Sequence, residues 1–416
     1  MEKNFYGIVR EKKEFKWGGF LILETFKGQY QCVLKNINIK SIKSESYVKI
    51  VGEEVPSQIK KELVISDVEI NVISFEILSQ PSAVPNINIY EKDINADTHL
   101  IFDHRALTLR NEKNKCIFKI QSIIQNSFRN FLSEEGYISI STPKIVANGA
   151  EGGTNVFKLD YFNKEAYLAQ SPQLYKQIMC GVFGKVYETA PVFRAEKHAS
   201  SRHLNEYLSL DVETILFQNF TELIQLEKRI LFTITDNLKS HAKKELEFLG
   251  IFLNAVPFIE NPFEAFTLKV SEIKEILGTS GLDMSSEEER EIAKYAFEKH
   301  DTHYVFATHY HRDVRPFYTK LSPDGITTES FDLIYKGIEI TSGGQRKEKY
   351  EDYIETLSAS KMNIEAFEGY LEAFKYGMPL HGGFAIGLER LTAKICGLDS
   401  VKAATLFPRD IDRLTP

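Results

Sequence analysis

The chain has 416 residues, 43% apolar and 26% charged, with a net charge of −7. That length suggests two or three domains, and the balance is that of a globular protein with a large core; no run of about 18 apolar residues marks a membrane span, and no leader-like apolar run opens the chain. The acidic total excludes a uniformly basic nucleic-acid binder, yet residues 1–62 carry twelve Lys and Arg against eight Glu, a local net of +4 that suits a phosphate backbone or a merely solvated surface.

Residues 4–80 read as short β-strands. "GGFLILETF", "YQCVLKNINI", "SYVKIVGEEV" and "VEINVISFEIL" are rich in Ile, Val and Phe and separated by glycine or polar breaks. Four or five such strands in so short a span predict a small barrel. "SQPSAVPNINIY", with two prolines and no period, reads as a linker. A helix follows: Ile117, Ile120, Ile124, Phe128, Phe131 and Leu132 share a face, and Gly136 ends it. "YISISTPKIV" is an alternating strand broken by Pro143, and strands continue through "VFKLDYF", "EAYLAQSP", 186–192 and 207–215. Residues 221–300 are mostly helical. The remainder returns to strands and closes with a glycine-led helix at Leu388–Ile395. Strands with helices grouped between them predict an α+β fold on a largely antiparallel sheet. The four cysteines form no CxxC pair, which argues against a zinc ribbon or disulfide framework and suits a reducing cytoplasm.

Three segments collect ionisable groups. In "HGGFAIGLERL" the P-loop Lys-Ser/Thr and the Rossmann glycine spacing are both missing. What remains is Arg390, one turn into a helix, where its fork can reach a phosphate or simply make a surface ion pair. In "FDLIYKGIEITSGGQR", Asp332, Glu339 and Ser342 are oxygen ligands suited to Mg²⁺ shared with substrate phosphates, or else two edge-strand acids and a turn. Arg346 follows the glycine pair. "FRAEKHASSRHLNEYLSLDVE" reads as strand, loop and returning strand. Arg194 and Glu196 end the first strand, Tyr207, Asp211 and Glu213 lie on the second, and the five are expected to split between the two faces.

These three segments also carry a resemblance. "GYISISTPKI", "FRAEKHASSRHLNEYLSLDVE" and "GGFAIGLERL" are similar to motifs 1, 2 and 3 of the class II aminoacyl-tRNA synthetases. "EGGTNVFKLDYFNKEAYLAQSPQLYKQIM", "VRPFYT", "GIEITSGGQR" and "LFPRDIDRLTP" resemble the aspartyl-tRNA synthetases of archaeal and eukaryotic type, over residues 100–416 almost without a break. The resemblance implies a catalytic domain at 101–416, a hinge at 81–100 and an anticodon-binding OB-fold barrel of five strands at 1–80. It implies that ATP, L-aspartate and tRNA are substrates, that Mg²⁺ is the cofactor, and that the enzyme is a cytoplasmic homodimer built on motif 1, with no membrane association.

Residue by residue, it implies that Arg194 holds the ATP α-phosphate and the substrate carboxylate, and Arg390 the γ-phosphate. Tyr207 would stack on adenine and Glu196 meet its amino group. Asp332, Glu339 and Ser342 would hold Mg²⁺. Gln173 and Asp211 would contact the aspartate ammonium, Lys176 and Arg346 its side-chain carboxylate, and Glu151 would lie in the loop that closes over the amino acid. In the barrel, Phe20 would stack on an anticodon base and Gln31 read another. The sequence departs from the family at Ala150, Ala199 and Leu23-Glu24-Thr25, where a serine, an asparagine and Leu-Arg-Asp are usual. The alternative function is a paralogue that forms aspartyl-adenylate for a non-tRNA acceptor, as an amide synthetase does.

Overall fold

Residues 1–83, 85–147, 155–197, 200–251 and 266–416 are described by a computed structural model. They fall into two units, Met1–Cys116 with Lys244–Gly250 and Pro416, and Ile117–Lys243 with Ile251–Thr415.

In the first unit, β1 (Lys3–Phe15), β2 (Gly18–Thr25), β3 (Gly28–Lys35), β4 (Tyr47–Pro56) and β5 (Val68–Ser79) close a barrel in the order β1-β2-β3-β5-β4. Period-two alternation turns Leu21, Leu23, Cys32, Leu34, Val48, Ile50 and Ile70 inward, all fully buried. Lys16 and Trp17 make the turn from β1 to β2. Gly18 leaves that turn at φ +131°, where an added Cβ would lie 1.8 Å from the Leu34 carbonyl oxygen, so only glycine fits. Glu24, where the resembled family has arginine, is ion-paired with Arg10 and with Lys115. The charge has changed sign there, but it is not stranded.

The second unit is built on an eight-stranded sheet. Its strands are β6 (Ile138–Ser139), β10 (Lys185–Phe193), β11 (Glu206–Ile215), β12 (Thr267–Lys269), β13 (Tyr304–Thr308), β14 (Ser330–Tyr335), β15 (Ile338–Gln345) and β16 (His381–Gly387). The order is β12-β13-β14-β15-β16-β11-β10-β6, parallel only at the outermost pairings, β12 with β13 and β6 with β10. Motif 1 is interrupted around Pro143, as expected. β7 (Ile145–Val146) joins a separate small sheet with β8 (Lys158–Tyr161) and β9 (Lys164–Leu168). The helix Glu112–Glu134 buries Ile117, Ile120, Ile124, Phe128 and Leu132, and Gly136 follows at φ +81°. The helix Thr221–His241 buries Leu223, Ile230, Leu231, Ile234 and Leu238. Among the described residues no helix is long and apolar enough to cross a membrane.

Candidate active site

Register assembles the site. Asp332 on β14 stands opposite Ser342 on β15, Ser342 opposite Ala385 on β16, Ala385 opposite Asp211 on β11, and Asp211 opposite Glu188 on β10. Directly opposed residues share a face, so one row of side chains crosses five strands. Two residues along, Glu213, Gly383 and Gly344 form the next row. The glycines answer to space. A Cβ on Gly383 would sit 2.3 Å from a Glu213 carboxylate oxygen and 2.1 Å from the Val212 carbonyl oxygen. Ser342, Gly344, Gly383, Ala385 and Gly387 therefore make a floor of small residues.

The expected split of the motif 2 residues between two faces is not met. Tyr207, Ser209, Asp211 and Glu213 are alternate residues of β11 and project to the same side. Arg194 and Glu196 lie just past the end of β10, which stops at Phe193. Asn205 holds them there: its backbone carbonyl accepts from the Arg194 N–H at 2.9 Å, and its side-chain amide donates to the Arg194 and Glu196 carbonyls at 2.8 and 3.3 Å.

At one end of the floor is a cavity of about 150 Å³. Arg194, Glu196, Tyr207, Glu339, Ser342 and Arg390 all line it. The Arg194 guanidinium lies 5.7 Å from the Tyr207 ring centre, and Arg390 donates to the Glu339 carbonyl at 2.8 Å. Burial and the neighbouring Asp332 push the Glu339 carboxyl above its ordinary value. Asp332 itself has one buried carboxylate oxygen with no hydrogen-bond partner among the described residues. Its other oxygen meets Arg315 at 2.7 Å, and Arg315 also donates to the Ser342 hydroxyl at 3.1 Å. Two neighbouring carboxylates, one with an orphan oxygen, are a donor set that fits a divalent cation. No group of three or more His, Cys, Asp or Glu suited to a metal occurs among the described residues. A cation here would need further ligands from phosphates or water, as Mg²⁺ does.

At the other end is a buried charge cluster. Lys176 meets Asp211 at 2.9 Å and Glu213 at 3.5 Å, while Arg346 Nε donates to Glu213 at 2.9 Å. Arg346 Nη2 donates to the Gly383 carbonyl at 2.9 Å and to Gln173 at 3.4 Å. Ser209 donates to the free side of Asp211 at 2.5 Å. Burial would raise the Glu213 carboxyl, but Arg346 and Lys176 outweigh it and hold it below the usual range. The two cations and two anions balance. The Gln173 side-chain nitrogen is buried with no partner among the described residues. Such a cluster can take a charged amphoteric ligand by exchanging internal partners for external ones, and it penalises a ligand that leaves a charge unpaired.

Thus the structure gathers Arg194, Glu196, Tyr207, Glu339, Ser342 and Arg390 around the cavity, with Asp332 beside them, and Gln173, Lys176, Asp211 and Arg346 in the charged cluster. Glu151, Ala150 and Ala199 lie outside the described residues. Phe20 and Gln31 are on the barrel's outer surface, Gln31 donating to Glu69 at 3.0 Å. Sequence reasoning missed Asn205, Arg315 and Glu389. The last accepts from the Leu208 N–H at 3.1 Å, and its carboxyl is pushed up to about 7 by burial. Arg315 was available within "VRPFYT"; Asn205 had no local signal, because its role is set by a carbonyl eleven residues away.

The family model for class II tRNA synthetases (D, K and N) matches residues 97–411. The chain is 42% identical to the aspartate–tRNA(Asp/Asn) ligase of Thermus thermophilus, covering all of this chain and 97% of that one. It is 40% identical to the aspartate–tRNA(Asp) ligase of Pyrococcus furiosus, over 82% of this chain and 78% of that one. Among solved structures, asparaginyl-tRNA synthetase from Pyrococcus horikoshii superposes with a TM-score of 0.89 at 27% identity, covering all of this chain and 96% of that one. Matched over three quarters of its length by a family whose motifs meet on one sheet face, the chain belongs to the class II tRNA synthetases of the D, K and N group.

Proposed function

We propose that the chain is an aspartate–tRNA ligase of the archaeal and eukaryotic type, which activates L-aspartate with ATP and transfers it to tRNA. The observation that carries this is the buried set Lys176, Asp211, Glu213 and Arg346 at one end of a small-residue floor whose other end is lined by Arg194, Glu339 and Arg390. Two cations beside a site for an amino acid favour a ligand with a second carboxylate over its amide. The fold alone does not choose between them, because an asparaginyl enzyme superposes well; the relatives at 36–42% identity are aspartate ligases.

In the first step an oxygen of the aspartate α-carboxylate attacks the ATP α-phosphorus, forming a mixed anhydride as pyrophosphate leaves. That carboxylate is already ionised at neutral pH, so no protein base is required. Arg194 would hold the α-phosphate and the attacking carboxylate, Arg390 the γ-phosphate, Tyr207 the adenine face and Glu196 the adenine amino group. Catalysis is then positioning and charge neutralisation. Asp211 and Gln173 would hold the ammonium, and Lys176 and Arg346 the β-carboxylate. Asp332, Glu339 and Ser342 would hold Mg²⁺, which when bound offsets phosphate charge. In the second step a hydroxyl at the tRNA terminus attacks the adenylate carbonyl and AMP leaves.

By this reading residues 1–80 bind the anticodon, 81–100 are the hinge, and 101–416 carry the chemistry in the cytoplasm. Two copies would pair through motif 1, where Ile138 and Ile145 are 45% and 49% exposed. Sedimentation at micromolar concentration should show a dimer. The test of function is exchange of pyrophosphate into ATP with aspartate and with asparagine, followed by charging of total tRNA. Aspartate-dependent exchange with charging is expected. Exchange without charging would favour an amide-forming paralogue, and exchange driven by asparagine would overturn the substrate.

A further inference from the structure

The barrel carries aromatic residues that the reading above does not use. Phe15 and Trp17 lie parallel, ring centres 5.5 Å apart and planes 2° from coplanar, and both meet Phe20 edge-on at 5.8 and 5.3 Å. Phe15 and Trp17 are 46% and 42% exposed. Burial for its own sake would not leave a stacked pair so open.

The pair is also held in place. The Trp17 carbonyl accepts from the Asn36 N–H at 2.8 Å, and Gly18 admits no other residue behind it. Preorganised rings lose little freedom when a ligand stacks on them.

The surrounding charge favours a polyanion. From Lys12 to Lys43 there are seven lysines and two glutamates, 7 − 2 = +5, in a chain of net charge −7. Lys13 stands opposite Phe20, and Lys35 opposite Gly18. Lys13, Lys16 and Lys35 have no ion-pair partner among the described residues, whereas Glu11 is paired with Lys61, and Glu69 accepts from Gln31 and Ser57. Glu14 is exposed between Lys13 and Lys16, but the local balance stays positive, and Lys13, Lys16 and Lys35 are available.

We propose that Phe15 and Trp17 form a second base-stacking platform beside Phe20, which takes one unstacked base of a tRNA loop while the lysines hold the flanking phosphates. This rests on the ligase reading. Stacking tolerates any base, so the platform adds affinity rather than sequence choice.

Trp17 is the chain's one tryptophan, so its fluorescence reports on this position alone. Titration of the full chain with host tRNA should quench Trp17 saturably, and salt should weaken the effect. Trp17→Ala should raise the KM for tRNA roughly tenfold, Trp17→Phe should restore it, and pyrophosphate exchange, measured alongside, reports that the catalytic unit is folded. Charging with unchanged Trp17 emission and an unchanged KM in Trp17→Ala would overturn the platform and leave the ligase reading standing. Quenching by tRNA that the protein never charges would sustain the platform and overturn the ligase reading. If Trp17→Ala fails to fold, a Trp17→Phe chain with normal KM and an unquenched parent still rejects the proposal.

Discussion

The barrel's outer surface and the floor of the large sheet both carry polar and aromatic side chains, in opposite physical styles. On the sheet the polar groups are buried, opposite in sign and locked to each other, as Lys176–Asp211 and Arg346–Glu213 are. On the barrel the aromatic rings of Phe15 and Trp17 are half exposed, and Lys13, Lys16 and Lys35 beside them have no ion-pair partner among the described residues. A small zwitterion of fixed shape can be read by buried charge, because each wrong group strands a partner. A long flexible polyanion cannot be enclosed that way, and is better held by sequence-tolerant stacking and long-range attraction. On the proposed reading, selectivity for the amino acid should therefore be steep and insensitive to salt, and selectivity for the nucleic acid shallow and salt-dependent.

Arg346→Leu tests the buried side most severely. It leaves Glu213 with Lys176 alone, and aspartate-dependent exchange should fall by at least about 3 kcal/mol, roughly 150-fold in kcat/KM. Adding Glu213→Gln should recover thermal stability but not exchange. Near-normal exchange in Arg346→Leu would remove that residue from the site. Arg390→Ala should act on ATP instead, with a loss of about 1.5–3 kcal/mol in kcat/KM for the nucleotide and little change in the aspartate KM. A change confined to the aspartate KM would contradict the assignment of the two ends.

On the barrel, Phe20→Ala should weaken tRNA charging by about 1–3 kcal/mol while exchange continues. If thermal stability falls and charging per folded molecule does not, Phe20 is packing only, and the contrast between the two surfaces fails. A last effect, on stability alone, concerns Glu227, fully buried on the helix Thr221–His241, whose carboxyl is pushed up to about 8 by burial, with Asp332 adding to the push. The folded state keeps that proton up to about pH 8, while the unfolded chain releases it near the ordinary value of 4.5. Stability from this group therefore falls as pH rises between those values. Glu227→Gln should gain on the parent in Tm as pH rises from 5 to 8. An equal Tm difference at both pH values would reject this.

What could be read from the sequence follows from how local each signal is. The strand alternation of β2 to β5, the amphipathic helix after the linker and the glycine-led helix at Leu388–Ile395 are all written in neighbouring residues, and the structure has them. β1 is the strand least marked in the sequence, because Lys and Glu crowd a segment whose buried residues include only Val9 among its apolar ones. The face shared by Tyr207, Asp211 and Glu213 follows from a two-residue period, but whether Arg194 and Glu196 join it depends on the pairing of β10 with β11, which no local pattern gives. The Asp332–Ser342–Ala385–Asp211 row could not be read at all, since it depends on the registers of four strands drawn from two distant stretches of chain.

The floor of small residues has a consequence for how this enzyme could change. Where a pocket is bounded by side chains, substitution can widen or narrow it in steps. Here one boundary is main chain, and at Gly383 even a methyl group would collide with Glu213. That boundary cannot be redrawn gradually. On the proposed reading a shift toward a different amino acid would have to come from the rim, through Lys176 or Arg346, and because those cations are tied to Asp211 and Glu213, and Gln173 to Arg346, a viable new preference requires at least two coordinated replacements that keep the pocket electrically neutral.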